Sequence, residues 1–220
     1  RDRDDPSTPA PPVVRMRNAV ALLGRFPALA GFDLEVAPSE VVLLSGPNGA
    51  GKTTALRVCA GLVAAVEGEV EVLGVDLRTD RRAVRRRVGL VGHSAGLYPD
   101  LTVRENMDFW SRAAGAATAD GSAALERLEV AGRLLELPVR ALSAGQLRRV
   151  SFASVLARRP ELWLLDEPHT GLDAGGRDLI DGLIAEAAAA GATVLFASHE
   201  SDRADAVAHR RVELAGGVAL

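Results

Sequence analysis

The sequence predicts an α/β fold with a largely parallel central sheet and an antiparallel flank, on three observations. First, short apolar runs at Val41–Leu44, Glu161–Leu165 and Ala192–Ala197 are each followed by glycine or polar residues, as buried parallel strands often are. Second, segments with helical spacing separate these runs along the chain. Third, apolar and polar residues alternate over Val13–Val20 and Gly31–Val36, which is typical of antiparallel strands.

The elements between these runs continue the alternation of strands and helices. A helix at Thr53–Cys59 follows the first buried run, and Gly68–Leu73 alternates like a further antiparallel strand. No strand pattern occurs between residues 100 and 140, which predicts a helical subdomain over about residues 93–150. The remaining predicted elements are a basic helix at Arg78–Arg87, a strand near Val88–Gly92, helices at Thr102–Ala114, Gly121–Leu135, Ser143 to about Arg159 and Gly176–Ala190, and a strand–turn–strand tail at Arg210–Leu220.

The composition is that of an ordinary globular chain. Its 220 residues are 48 % hydrophobic and 25 % charged, and we assign residues 13–220 to one domain. The charged, Pro-rich residues 1–12 are predicted to be a disordered leader. The net charge of −3 argues against a nucleic-acid partner. The single cysteine excludes an internal disulfide framework, and no apolar run reaches the roughly 20 residues of a transmembrane helix.

A glycine-rich segment after the first buried run has the pattern G-x-x-x-x-G-K-[ST], placed between a strand and a helix. Glycines there let backbone amides and a helix amino terminus face a phosphate. Lys52 is the only lysine among 26 basic residues, which indicates a position where arginine does not substitute. Thr53 is predicted to ligate Mg²⁺, and Thr54 to bind a phosphate oxygen. The predicted phosphate-binding residues are Gly46, Pro47, Asn48, Gly49, Ala50, Gly51, Lys52, Thr53 and Thr54.

Two adjacent carboxylates follow the second buried run. At a strand end beside a phosphate loop, Asp166 can hold the Mg²⁺ shell, and Glu167 can orient or deprotonate an attacking water. The alternative is that the pair only caps the turn before Pro168. Together with the glycine-rich loop, the pair predicts a nucleotide-hydrolysing site.

Between these two motifs, the segment Leu142-Ser143-Ala144-Gly145-Gln146 resembles the L-S-G-G-Q signature of the ATP-binding subunits of ABC transporters. Nearly the whole chain takes part in the resemblance, because the expected motifs occur in the family's order. It implies a P-loop NTPase with a RecA-like core and an ABC helical subdomain, which hydrolyses ATP with Mg²⁺. It also implies a head-to-tail homodimer, in which Ser143, Gly145 and Gln146 meet the γ-phosphate bound by the partner subunit. A helix amino terminus at Ser143 is suited to bind such an anion.

Further positions take their roles from the same resemblance. Gly171-Leu172-Asp173 looks like the D-loop that bridges the two sites, and His199 looks like the switch histidine that contacts the γ-phosphate. His93 stands where most members carry the Q-loop glutamine. A neutral imidazole can still approach water or Mg²⁺, and the alternative is that His93 has lost this role.

The aromatic residue that stacks on adenine in the family is not evident. Its place falls near Leu23, and the neighbouring Phe26 either substitutes for it or belongs to the core. Base stacking on an aromatic ring contributes roughly 1–3 kcal/mol. The sequence therefore predicts hydrolysis more firmly than it predicts base selectivity.

Details within the motifs narrow the resemblance to the CcmA subfamily, the ATP-binding subunits of haem exporters in cytochrome c biogenesis. These details are Val-Gly-His at residues 91–93, Leu-Arg-Arg-Val after the signature and Leu-Trp-Leu-Leu-Asp-Glu-Pro around the carboxylates. They imply a peripheral subunit on the cytoplasmic face of the cell membrane, bound to a permease that is CcmB-like if the cargo is haem. The alternative within transport is a drug, polyketide or lipid exporter. ABC proteins of DNA repair or translation are disfavoured, since they usually carry two ATPase domains or a long coiled-coil insertion.

Other features keep more than one interpretation. Phe109 and Trp110 are either core residues or border the groove where a permease docks. Cys59 is most simply a small buried apolar residue. A basic cluster is either a solvated helix face or a contact to anionic headgroups, and it comprises Arg81, Arg82, Arg85, Arg86 and Arg87.

Overall fold

The computed structural model describes residues 10–92, 96–115, 117–199 and 201–220. Its strands are β1 (Val14–Leu23), β2 (Phe26–Val36), β3 (Val41–Ser45), β4 (Glu67–Val72), β5 (Val75–Asp76), β6 (Val88–Val91), β7 (Leu162–Asp166), β8 (Thr193–Ala197), β9 (Arg210–Ala215) and β10 (Val218–Ala219). Its helices are α1 (Lys52–Cys59), α2 (Leu77–Asp80), α3 (Val103–Ala114), α4 (Thr118–Arg127), α5 (Ala144–Leu156), α6 (Ala174–Ala189) and α7 (Ser201–Val207).

The larger sheet has the strand order β10–β9–β3–β8–β7–β6, and all its neighbours pair in parallel except β10 with β9. Leu44 of β3 and Asp166 of β7 both pair with Ala197 of β8. The carboxyl ends of these three strands therefore meet at one edge, where ligands bind in open α/β sheets. The three segments that follow them carry the glycine-rich loop, Glu167 and His199.

The smaller sheet is antiparallel and has the order β2–β1–β4–β5. Val14 of β1 pairs with Val36 on one side and with Val72 on the other. The predicted antiparallel flank is thus confirmed, and its buried side chains share one apolar core with α1.

The larger sheet is buried on both faces, and its side chains alternate between two cores. Val42 and Leu44 point to the core shared with α1 and the antiparallel sheet. Val41 and Leu43 point to a second core, which contains side chains of α3, α4, α5 and α6. A strand covered on both sides reads as a continuous apolar run, which is why these strands were predictable from sequence.

Two helices begin with capping boxes. The Thr102 hydroxyl accepts from the Glu105 amide and the Glu105 carboxylate accepts from the Thr102 amide at the start of α3. Ser143 and Gln146 make the same reciprocal pair at the start of α5. Each such cap stabilises its helix by about 1 kcal/mol.

The prediction of one basic helix over Arg78–Arg87 is wrong. The segment forms α2 and a separate 3-10 turn at Ala83–Arg86. The break follows from the Asp80 carboxylate, which accepts from the amides of Arg82 and Ala83 and so begins a new turn.

Two arginine side chains of the basic cluster also form hydrogen bonds to other parts of the chain. Arg85 donates to the Gly61 carbonyl, and Arg87 binds Glu161 through two nitrogens, at 2.6 and 2.8 Å. The Arg87 side chain donates to the Leu73 carbonyl as well. Two of the five arginines therefore have hydrogen-bond partners within the chain and are not simply a solvated helix face.

The helix predicted at Gly121–Leu135 is wrong in its boundaries. The structure begins α4 at Thr118 and ends it at Arg127, and a 3-10 turn at Gly132–Glu136 follows. Glu129 has a positive φ of 57°, which a continuing right-handed helix does not allow. The two short elements β5 and α7 carried too little pattern to be predicted.

Candidate functional site

The glycine-rich loop joins β3 to α1, and two of its glycines are required by close backbone contacts. Gly46 has a φ of 134°, and a Cβ there would lie 2.1 Å from the Leu214 carbonyl oxygen. Gly51 has a φ of 108°, and its Cβ would lie 2.5 Å from the Ala28 carbonyl oxygen. Any side chain at either position would therefore displace the loop from the sheet.

Lys52 is a buried cation whose hydrogen bonds are to carbonyls. Its side chain folds back over the loop, where Nζ donates to the carbonyls of Gly46 at 2.7 Å and Pro47 at 3.0 Å. The residue is 8 % exposed, and the described part of the chain provides it with no salt bridge. A buried charge without a counter-ion is costly, so the loop favours a bound anion.

Thr53 and Asp166 bring two oxygen groups together at the mouth of the loop. The Thr53 hydroxyl donates to Asp166 Oδ2 at 2.9 Å. Hydroxyl and carboxylate oxygens are the donors that Mg²⁺ prefers, and Mg²⁺ in nucleotide sites is commonly held by one or two protein groups plus phosphates and water. The pair therefore fits such an ion, although no group of three or more His, Cys, Asp or Glu in the described residues could hold a metal alone.

Glu167 adopts a left-handed backbone conformation, with a φ of 50°. Its amide donates to the Ala197 carbonyl at 2.8 Å, so the strained residue is fixed by β8. His199 Nδ1 lies 2.7 Å from Glu167 Oε2. The Glu167 side chain is 30 % exposed and the His199 side chain 66 %, so both are accessible at the carboxyl ends of β7 and β8.

A cavity of about 500 Å³ joins most of these predicted residues. Its lining includes the loop and both carboxylates, together with residues that the sequence did not single out. The lining residues are Leu23, Ala28, Asn48, Gly49, Ala50, Gly51, Lys52, Thr53, Thr54, Arg57, Arg148, Asp166, Glu167 and Thr170.

Arg148 is the most informative of the residues that sequence analysis missed. It lies on α5 and donates through Nη1 to the Gly92 carbonyl at 3.1 Å, at the end of β6. Burial lowers the pKa of its guanidinium, and the charges of Asp166 and Glu167 oppose that effect. Its place just after the signature was visible in the sequence, but nothing there predicted that it would line the same cavity as the two carboxylates.

The signature residues lie outside this cavity. Ser143 is exposed, and Gly145 and Gln146 are partly buried at the start of α5. A Cβ on Gly145 would lie 2.9 Å from the Gly171 carbonyl oxygen, so the signature packs tightly against the predicted D-loop of its own chain. Within one chain, these three residues therefore do not line this cavity.

The remaining predicted positions divide into three cases. Leu23 lines the cavity, whereas Phe26 does not and is 79 % exposed, so the interpretation of Phe26 as a core residue is wrong. Cys59 is confirmed as buried. His93, like residues 1–9 of the predicted leader, lies outside the described residues.

A larger cavity of about 590 Å³ lies at the opposite end of β7, near Glu161. Its lining includes alanines of α4 and α6 and the Trp163 side chain. Size alone would favour it as a ligand site. The smaller cavity is the better candidate, because the glycine-rich loop, a buried cation and paired carboxylates converge there.

Comparison with known proteins agrees with this geometry. The family model described as ABC transporter matches residues 29–170. The cytochrome c biogenesis ATP-binding export protein CcmA of Rhodospirillum rubrum is 37 % identical over 191 residues, which cover 87 % of this chain and 82 % of that protein. The Nod factor export ATP-binding protein I of Cupriavidus metallidurans is 36 % identical over 196 residues, covering 88 % of this chain and 65 % of that protein.

Solved structures agree as well. A dimeric structure of the bacterial ABC transporter cassette MJ0796 superimposes with a TM-score of 0.86 and 26 % identity, covering 94 % of this chain and 96 % of that one. A dimeric post-hydrolysis state of the same cassette, bound to ADP and Pi, gives a TM-score of 0.81 at 28 % identity, with the same coverage. The fold, the loop geometry and these similarities agree, and the chain belongs to the ABC transporter family as an ATP-binding subunit that hydrolyses ATP.

Proposed function

We propose that the cavity between β3, β7 and α1 is the ATP site. The buried and unpaired charge of Lys52 is the observation that carries this assignment, because it fits the terminal phosphates of a nucleotide. The loop amides and Thr54 would bind the phosphate oxygens. Thr53 and Asp166 would hold Mg²⁺, which when bound neutralises charge on the phosphates.

Glu167 is the proposed general base for the attacking water. Its carboxylate projects from the strand edge on a backbone fixed by β8, and a base near the cleaved bond accelerates hydrolysis by about 10²–10⁴-fold. His199, in contact with Glu167, would orient that carboxylate and meet the γ-phosphate. For His93 we propose the part of the Q-loop residue, on its sequence position alone.

The complete site requires two chains. Ser143, Gly145 and Gln146 lie outside the cavity of their own chain, and the cassette MJ0796 has been solved as a dimer. We propose a head-to-tail homodimer in which the capped amino terminus of α5 faces the γ-phosphate of the partner. Helices α3, α4 and α5 would then be the helical subdomain, over about residues 93–150, within a single domain at 13–220.

The dimer is proposed to drive a membrane permease from the cytoplasmic face of the membrane. No helix within the described ranges combines the length and apolar character needed for a transmembrane span. The rings of Tyr98 and Phe109 meet edge to face at 5.0 Å, and both side chains are more than two-fifths exposed. Because Phe109 is not buried, this aromatic surface, formed by α3 and the segment before it, is suited to contact a permease.

Haem export for cytochrome c biogenesis is the function we favour, with a CcmB-like permease as the partner. The similarity to CcmA of Rhodospirillum rubrum over most of both chains supports it. The second candidate is a drug, polyketide or lipid exporter, favoured by the similarity to the Nod factor export ATP-binding protein.

Haem staining of membrane c-type cytochromes tests this choice, in a strain that lacks the protein and is complemented with wild type or Glu167→Gln. Lost cytochromes that only the wild type restores would support haem export driven by hydrolysis. Unchanged cytochromes would refute haem export. The second candidate predicts unchanged cytochromes together with ATPase activity that Glu167→Gln abolishes.

A further inference from the structure

A buried histidine two residues after Glu167 has no part in the proposed chemistry. His169 is 1 % exposed, and its Nε2 lies 2.7 Å from Asp181 Oδ1 on α6. Because a carboxylate only accepts, Nε2 carries the proton of this hydrogen bond. Nδ1 is buried and has no hydrogen-bond partner in the part of the chain that the structure describes. A buried imidazole that is held by one carboxylate indicates a side chain whose position matters.

Asp181 binds a second group from the other direction. Its Oδ2 accepts a hydrogen bond from Arg203 Nη1 on α7. The same nitrogen donates to Asp178 Oδ1 at 2.9 Å, near the surface. Asp181 is mostly buried and Asp178 is exposed, so the contact to Asp181 is the better shielded of the two.

These contacts form a second connection between the segments that carry Glu167 and His199. His169 follows Glu167 by two residues, and Arg203 lies on the helix that begins two residues after His199. Asp181 on α6 therefore contacts both segments through its hydrogen bonds to His169 and Arg203. The Glu167–His199 contact connects the same two segments at the carboxyl ends of β7 and β8. Movement of either segment alone would break a shielded, charge-assisted hydrogen bond.

We propose that Asp181 is a positioning residue for ATP hydrolysis, which acts through His169 and Arg203 to keep Glu167 and His199 in contact. The proposal rests on the proposed roles of those two residues. It explains why a histidine and an aspartate are buried together behind the site, at positions where apolar side chains would pack at lower desolvation cost.

Steady-state ATPase kinetics of the full chain provide the test, at protein concentrations that support dimers. Asp181→Ala should lower kcat about tenfold and change KM less than about twofold, because the loss is one of geometry. Asp178→Ala is the matched control: it removes a carboxylate from the same helix and the same arginine, without contacting His169, and should leave kcat unchanged. His169→Leu should reproduce the loss, and His169→Gln should restore activity, since its amide can donate to Asp181.

A double-variant experiment separates positioning from general destabilisation. In a His199→Ala background, Asp181→Ala should lower kcat no further, because both substitutions disable one contact. An equal loss in that background, an equal loss for Asp178→Ala, or an unchanged kcat for Asp181→Ala would each overturn the proposal.

The controls for folding and for the underlying roles are separate. If Asp181→Ala does not fold, Asp181→Asn keeps the shape of the side chain and takes its place. If neither folds, Asp181 is a structural residue and the proposal fails. ATPase activity that survives Glu167→Gln would refute the proposed catalytic roles themselves, and this proposal with them.

Discussion

His199 Nδ1 and Glu167 Oε2 lie 2.7 Å apart, although 32 positions separate the residues in sequence. Parallel pairing of β7 with β8 produces this contact, because Asp166 is in register with Ala197 and both residues follow their strands within two positions. Glu167 makes this contact from a left-handed backbone conformation, with a φ of 50°. The pairing of β7 with β8 is thus enough to bring these two side chains together.

Glu167→Gln should abolish turnover and preserve ATP binding. The amide keeps the shape of the carboxylate but cannot accept a proton from water, so kcat should fall by about 10²–10⁴-fold. Because bound ATP would then persist, the variant should elute as a dimer in size-exclusion chromatography with Mg-ATP. Elution as a monomer under those conditions would contradict the proposal that two chains form each ATP site.

Replacement of Lys52 with methionine should uncouple stability from nucleotide binding. Methionine retains the length of the side chain and removes a buried charge that lacks a counter-ion, so the melting temperature without nucleotide should stay the same or rise. The increase in melting temperature that ATP causes should disappear, since ligand stabilisation depends on affinity. Thermal unfolding with and without Mg-ATP measures both effects, and a retained ATP-induced increase would exclude Lys52 from the phosphate site.

Leu23→Tyr should strengthen binding of adenine nucleotides. Leu23 lines the cavity, and an aromatic ring there could stack on the base, which raises affinity by about tenfold or more. Phe26→Ala is the matched control and should leave affinity unchanged, because Phe26 points away into solvent and does not line the cavity. Titration with a fluorescent ATP analogue measures both, and weaker binding by Phe26→Ala would identify Phe26 as the stacking residue instead.

The sequence predicted the strands of the larger sheet well, and it predicted the boundaries of the helices less well. Val41–Leu44 had to be apolar throughout, since β3 is covered on both faces, and a short run of this kind before a glycine-rich turn indicates a buried strand. The break after Asp80 depends instead on one carboxylate that accepts from two backbone amides. Local polar contacts of this kind leave no periodic pattern in the sequence.

The residues of the candidate site also fall into two groups, those that sequence motifs predicted and those that only the structure revealed. The predicted group belongs to motifs with fixed spacing, and the structure brings its members into one cavity. These residues are Lys52, Thr53, Asp166 and Glu167. The contacts of Arg148 and of His169 depend on how α5 and α6 pack against the larger sheet. Such tertiary contacts join residues far apart in sequence, so no local spacing rule could have identified them.

Cys59 should make the stability of the protein depend on alkaline pH. Burial raises the pKa of its thiol from an ordinary 9.0 to about 12, so the folded chain keeps a proton that the unfolded chain releases. The associated stability is complete below pH 9 and is lost as the pH rises toward 12, at up to about 1.4 kcal/mol per pH unit.

Urea unfolding at about pH 8 and about pH 10 would measure this effect against Cys59→Ala. The variant lacks the thiol but keeps every other group that titrates in this range, so the free energy of unfolding should fall less steeply with pH than in the wild type. The native thiol should also resist a disulfide reagent until the chain unfolds, because only a thiolate reacts. Equal pH slopes for the two proteins would contradict the burial of this proton, and would place Cys59 in contact with water during the lifetime of the native state.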